Sequence, residues 1–160
     1  MGIIGEPENF NNLSESEQEI VATELWKDFG EDFMSQGVSE ERAAYYMRQT
    51  YQVHNALLTA WTTDADGTRG ILLATAGYVK LGEDVFVVNV WTNPERRGEG
   101  LAREIVAIAA NAGAARHKKS HIKLWCEKEL VPMYEKMGYR HLEQHRVSRE
   151  KFVEIMVKRV

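Results

Sequence analysis

The run Arg97-Gly98-Glu99-Gly100-Leu101-Ala102, with Arg96 before it and Arg103 after it, holds residue types suited to gripping an anion. Two glycines let the backbone approach a ligand with no side chain in the way. Three arginines supply charge, and the apolar spacing that follows predicts the start of a helix. A helix N-terminus presents unpaired N–H groups and partial positive charge, which together stabilise a phosphate. Three phosphate loops share such features. A Walker loop needs Gly-Lys-Ser/Thr, but Gly100 is followed by Leu101-Ala102. A dinucleotide fingerprint needs a third glycine where Arg103 stands. The pattern Arg/Gln-x-x-Gly-x-Gly/Ala is matched in full by Arg97, Gly100 and Ala102. A glycine-rich turn with solvated arginines is the competing reading, and the elements around the loop weigh against it.

Those elements read as follows. Residues 1–13 are polar, with Pro7 and three asparagines, and are expected to form a loose arm with at most a short strand at residues 3–4. Ser14 and Glu17 make a capping box. Ile20, Val21, Leu25 and Trp26 follow at helical spacing, with Gly30 as the expected stop. A second helix is expected from Ser39, carrying Ala43, Tyr46, Met47 and Thr50 on one face. From Ala56 the texture changes to strands at residues 56–63, 70–80 and 85–91, joined by the tight turns at Asp64-Ala65-Asp66-Gly67 and Leu81-Gly82-Glu83. Short turns imply an antiparallel meander. The third strand is apolar on both faces and expected to be central, and Pro94 ends it. A helix over residues 100–115 then places Leu101, Ile105, Ile108, Ala109 and Ala112 inward. The strand at residues 122–126 follows a crossover helix and so should run parallel to the third. A short helix containing residues 132–137 stops at Gly138. Residues 139–147 and 152–160 complete a hairpin.

The 160 residues suit one domain, and a composition 44% hydrophobic and 28% charged is that of a globular protein. A net charge of -4 gives no general ground for nucleic-acid binding. Cys126 is the only cysteine, which excludes an intrachain disulfide and points to a reducing compartment. No run approaches the roughly 20 apolar residues of a membrane span. Residues 1–7 lack a signal peptide's basic start and apolar run, and Glu6 stands where a myristoylation signal wants Ser or Thr. The expectation is a cytoplasmic protein.

A second segment, Val131-Pro132-Met133-Tyr134-Glu135-Lys136-Met137-Gly138-Tyr139, resembles the Tyr-Glu-Lys-x-Gly-Phe/Tyr segment of the GNAT superfamily of N-acetyltransferases. With the Arg97–Ala102 loop upstream, two motifs in the right order identify the chain as similar to that superfamily from about residue 56 to residue 160. The resemblance implies a mixed α/β (α+β) fold. Its central sheet would be mainly antiparallel, with six or seven strands, about four flanking helices and a splayed central parallel pair. Residues 14–53 would be two variable helices on the acceptor side, and residues 54–160 the core. Acetyl-CoA would be the acyl donor, with no metal. Its pyrophosphate would lie on Arg96, Arg97, Gly98, Glu99, Gly100, Leu101, Ala102 and Arg103, and its pantetheine arm along Val90, Trp91 and Thr92. The acetyl group would pass directly to a primary amine of a small molecule or protein.

By the same resemblance Tyr134 is the general acid for the leaving thiolate. The base is less defined. Asp84 is the first candidate, with Glu127 as a second, because Phe86 stands where some relatives carry a catalytic glutamate. Glu127 also replaces an asparagine frequent in the family, and Leu130 replaces an alanine. Cys126 reads as a buried strand residue, with an acyl-cysteine route left open. His117, His121, His141 and His145 lack zinc spacing. The basic run Arg116-His117-Lys118-Lys119 suits a helix C-terminus, with contact to a cofactor phosphate or RNA as its alternative. Trp26, Phe29, Phe33, Tyr45, Tyr46 and Tyr51 read as helix packing. Between Ser14 and Glu41 nine acids face one base, Lys27; solvated helix faces account for them more readily than attraction of a cationic amine. Two other functions are carried alongside: a toxin-type enzyme acetylating aminoacyl-tRNA, and a non-catalytic acyl-CoA sensor. A homodimer is left open.

Overall fold

A computed structural model describes residues 4–160. Seven strands form one sheet in the order β1-β2-β3-β4-β5-β7-β6 among the described residues. They are β1 Glu8–Asn9, β2 Ala56–Thr63, β3 Arg69–Leu81, β4 Asp84–Thr92, β5 His121–Cys126, β6 Arg140–Arg146 and β7 Phe152–Arg159. The four α-helices are α1 Glu15–Ser35, α2 Ala43–Thr50, α3 Leu101–His117 and α4 Val131–Lys136. Every neighbouring pair of strands is antiparallel except β4 and β5. The mixed sheet with a central parallel pair is the expected fold class.

Apolar burial explains the layering. Leu101, Ile105, Val106, Ala109 and Ala110 of α3 pack with Val85 and Val87 of β4, Ile122 and Leu124 of β5, and Tyr134 of α4. On the opposite face Val21 and Leu25 of α1 and Met47 of α2 pack with Leu57, Leu72 and Trp91. The buried side of α3 is broader than the spacing predicts. Val106, Ala110, Gly113 and Ala114 join it, while Ile108 and Ala112 are half-buried.

Three expectations need correction. Gly30 does not stop α1. The helix continues to Ser35 and ends at Gly37, whose φ of 77° allows the bonds Gly37 N–H to Met34 O and Val38 N–H to Phe33 O. A Cβ at Gly30 would lie 3.2 Å from the Trp26 indole, which stacks on Phe33 at 5.7 Å; the glycine makes room for a ring. The N-terminal arm is not loose over its described part. Phe10 is fully buried, its carbonyl accepts from Gln18 Nε2, and Asn11 Nδ2 donates to Tyr51 O. The strand expected at residues 3–4 falls partly outside the described residues; Ile4 is not in a strand, and the first strand is at Glu8–Asn9.

The third correction concerns β4, which is not uniformly apolar on both faces. Its faces exchange at a β-bulge. Gly77 pairs with Val88 but Thr75 pairs with Trp91, so β4 holds one extra residue there. Asn89 takes it up with a φ of 51°, a left-handed conformation that asparagine tolerates better than most residues. Val87 therefore packs in the α3 core and Trp91 in the α1–α2 core, although four residues of regular strand would put both on one face.

Candidate active site

The parallel ladder of β4 and β5 has two rungs, Phe86 with Lys123 and Val87 with Leu124. Beyond them, where the bulge begins, the two strands part and β4's backbone on that side is released from the sheet. A cleft of about 610 Å³ lies there. Val90, Trp91 and Thr92 of β4 line it, with Arg96, Arg97, Gly98, Gly100, Leu101, Ala102 and Arg103 of the following loop and helix, and Tyr134 of α4.

The loop owes its shape to its glycines. Gly98 and Gly100 have φ values of 85° and 82°, and a Cβ on either would meet nothing within 4 Å. They are kept by backbone conformation and open space, with no protein packing against them. Gly100 is the N-cap of α3, so the N–H groups of the first turn face the loop without intrahelical acceptors. Arg97 Nη2 lies 4.0 Å from Asp28 Oδ2 of α1, and Arg103 Nη2 donates to Lys136 O of α4 at 3.3 Å. Three elements thus close around one glycine turn with cations at its rim.

Tyr134 is 5% exposed, and its ring meets Tyr139 edge to face at 5.9 Å. Burial, with the neighbouring Cys126, pushes its phenol up to about 12. It is therefore protonated across the physiological range. Its hydroxyl has no hydrogen-bond partner among the described residues. Cys126 is buried too, and burial followed by the charges of Glu154 and Glu127 pushes its thiol up to about 11. A thiol so held is a poor nucleophile at neutral pH, which weighs against an acyl-cysteine route.

The remaining predicted residues stand apart from the cleft lining. Glu99 turns back to Arg96. Glu127 is exposed at the end of β5. Asp84 opens β4 at the end remote from the bulge, opposite Leu81, and its carboxylate is 3.0 Å from Lys123 Nζ. Six residues of strand separate it from Val90, about 20 Å at the usual rise. That distance removes Asp84 as a base acting at the bulge. Phe86 packs against Trp125 at 5.1 Å.

Sequence reasoning missed Asp28, Leu130, Met133, Lys136 and Met137 in the lining. Met133 and Met137 are one helical turn apart and could have been read as one face of α4. Nothing local marks Asp28 among the acids of α1. A second cavity, about 470 Å³, lies by Trp61 at the β1–β2–β3 edge, where Arg69 pairs with both Glu8 and Glu17.

Residues 14–155 match the family model described as acetyltransferase (GNAT) domain. Among curated proteins no match is found. Solved structures share the fold at low identity. An aminoglycoside 6'-N-acetyltransferase complexed with coenzyme A superposes with a TM-score of 0.72 at 14% identity, covering 96% of each chain. An aminoglycoside 6'-acetyltransferase type Ii gives 0.71 at 17%, covering 99% of this chain and 97% of the other. A spermidine N-acetyltransferase chimera from Vibrio cholerae and hSSAT gives 0.69 at 13%, covering 97% and 96%. The family match spans the bulged strand, the glycine turn and the buried tyrosine alike, and the chain belongs to the GNAT acetyltransferase family, whose members are acyltransferases.

Proposed function

We propose that the cleft binds acetyl-CoA and that the protein transfers its acetyl group directly to a primary amine of a small molecule or protein. The observation that carries this is the coincidence of the β4–β5 gap with the Gly98–Gly100 turn and the buried, protonated Tyr134. The residues present fit a pyrophosphate: two glycines with open space above them, the first turn of α3, and the guanidiniums of Arg97 and Arg103. Acetyl-CoA supplies an activated thioester. The coenzyme A complex of the aminoglycoside 6'-N-acetyltransferase on the same fold supports this choice of donor.

This chain's own groups would then do three things. Backbone at Val90 and Trp91, free of the β5 ladder, can hold a thioester carbonyl and stabilise negative charge on its oxygen. Tyr134 can donate a hydrogen bond to the departing sulfur. The amine must arrive neutral, and with a pKa near 10.4 only about one lysine-like amine in a few thousand is neutral at pH 7. Glu127, exposed where β5 ends and outside the cleft lining, is the carboxylate we assign to take that proton through water. The cytoplasm is the proposed compartment, where the free, buried Cys126 stays reduced.

Free-thiol release from acetyl-CoA, measured against polyamines, amino acids, aminoglycosides, peptides and aminoacyl-tRNA, tests the activity. Thiol release with at least one amine supports it. Coenzyme A binding with no release for any acceptor overturns transfer in favour of a sensor, and no coenzyme A binding overturns the site. Glu127→Gln should slow turnover about 10–100-fold; unchanged turnover removes Glu127.

A further inference from the structure

The bulge of β4 is held from the side by groups that no cleft lining includes. Asn89 Nδ2 donates to the phenol oxygen of Tyr51, and Asn89 O accepts from Thr75 Oγ1 at 2.9 Å. One side-chain atom and one backbone atom of the bulge residue are thereby held by fixed partners. Thr75 is fully buried in β3, the strand that pairs with the bulge. Tyr51 is 3% exposed at the C-cap of α2. Its N–H donates to Met47 O at 3.0 Å, and its carbonyl accepts from Asn11 Nδ2 at 2.8 Å. Gly77, also on β3, makes room for the Tyr51 ring. A Cβ there would come within 2.9 Å of Ala56 O and 3.2 Å of Tyr51 Cε1.

The register of the bulge decides what the cleft presents. Losing the extra residue, so that β4 ran on as regular strand, would exchange the faces of Val90 and Trp91, and with them the backbone released toward β5. A left-handed asparagine commonly bonds its own backbone; here its side chain crosses to a helix on the other layer.

We infer that Tyr51, Thr75 and Asn89 form a brace that fixes the β4 backbone where it meets the acyl group, which makes them positioning residues for acyl transfer. This rests on the acyltransferase reading of the cleft. None of the three lines the cleft, so the brace acts through backbone placement. It also ties α2, on the acceptor-side layer, to the donor side of the site.

The test compares two defined probes, acetyl-CoA and coenzyme A, by calorimetry. Their affinity ratio isolates what the acetyl group gains from the β4 backbone. Tyr51→Phe deletes the phenol oxygen and keeps the ring; Thr75→Val deletes the hydroxyl at constant shape; Thr75→Ser keeps it. The first two should weaken acetyl-CoA about 3–10-fold while coenzyme A stays within about twofold, the size expected for one misplaced hydrogen bond. Thr75→Ser should retain the wild-type ratio. If Tyr51→Phe does not fold, the Thr75 pair decides. A wild-type protein that binds the two probes alike overturns the brace, as do variants that keep its ratio. Parallel loss of both affinities with a lowered Tm also overturns it, by showing a structural role alone. Failure of the wild type to bind coenzyme A removes the donor site first, and the brace with it.

Discussion

Both oxygens of Glu99 reach Arg96: Oε2 lies 2.7 Å from Nε and Oε1 lies 3.0 Å from Nη2. The hydrogen bonds from Arg96 hold the Glu99 carboxyl below the usual carboxylate range, so at neutral pH the pair carries no net charge. Arg103, and Arg97 with its longer 4.0 Å approach to Asp28, are left as the cations of the loop. Glu99→Gln would release a third. Coenzyme A should bind about 2–5-fold tighter to that variant at low ionic strength, and the gain should shrink by 0.5 M salt as screening shortens to a few ångströms. Titration calorimetry at two salt concentrations measures this; weaker binding would mean that the pair orients Arg96 for the ligand.

Strain and charge can be separated at Gly100. Its φ of 82° costs an L-residue about 1–2 kcal/mol, less for Asp than for Ala. Gly100→Ala should lose a few degrees of Tm and less than about tenfold in coenzyme A affinity. Gly100→Asp should melt no lower than the alanine variant yet bind more than about 100-fold more weakly, since a carboxylate would then face the pyrophosphate. Equal binding by the two variants would take the ligand away from this turn.

Tyr134 should matter to turnover more than to binding. A phenol near 12 does not readily give its proton to a thiolate whose acid has a pKa of about 8.5; full transfer would be uphill by roughly 5 kcal/mol. Its contribution is therefore a hydrogen bond that strengthens as charge develops on sulfur. Tyr134→Phe should lower kcat about 10–100-fold and change coenzyme A affinity by less than about twofold. An unaltered kcat would leave Tyr134 as packing against Tyr139.

The same tyrosine makes stability depend on alkaline pH. Its folded value is raised above the ordinary 10, so the folded chain keeps a proton that the unfolded chain loses. The contribution is fully present below pH 10 and is lost as pH rises from 10 to about 12. Tyr51 and Tyr139 are raised in the same direction by burial. Urea midpoints measured from pH 8 to 11 should fall above pH 10, and less steeply in Tyr134→Phe. Identical slopes would mean that the phenol ionises freely in the folded state.

Gly113 tests the packing of α3 on the sheet. A Cβ there would lie 2.8 Å from Tyr78 Cγ and 2.9 Å from Tyr78 Cβ, near the root of a side chain that cannot swing away. Alanine would gain about 1 kcal/mol in helix propensity but lose about 1–3 kcal/mol to overpacking. Gly113→Ala should lower Tm by a few degrees in scanning calorimetry; a raised Tm would show that α3 can shift.

What the sequence reveals here is what depends on neighbours in the chain. The Ser14–Glu17 box, the bounds of β2 and the glycine turn before α3 are local matters of capping, alternation and φ. Gly30 misleads because its reason is a ring packed across one helical turn. The anchoring of Phe10 depends on Gln18 and on Tyr51, which is 40 residues beyond the partner Asn11. The bulge leaves no mark in an apolar run, since one extra residue there looks like strand continuing. Asp28 enters the cleft by the path of α1, and Asp84 is excluded by its place along β4, neither of which spacing alone records.

Among the described residues, two rungs of parallel ladder are all that join β1–β4 to β5–β7 within the sheet. In mechanical terms the sheet is two stiff plates on a short seam, with one apolar core beneath both. A load that pulls the plates apart meets those rungs first, and a molecule lying in the gap bears part of it. A chain with its cleft filled should accordingly resist force better than the empty chain, with the difference concentrated at a single line across the protein.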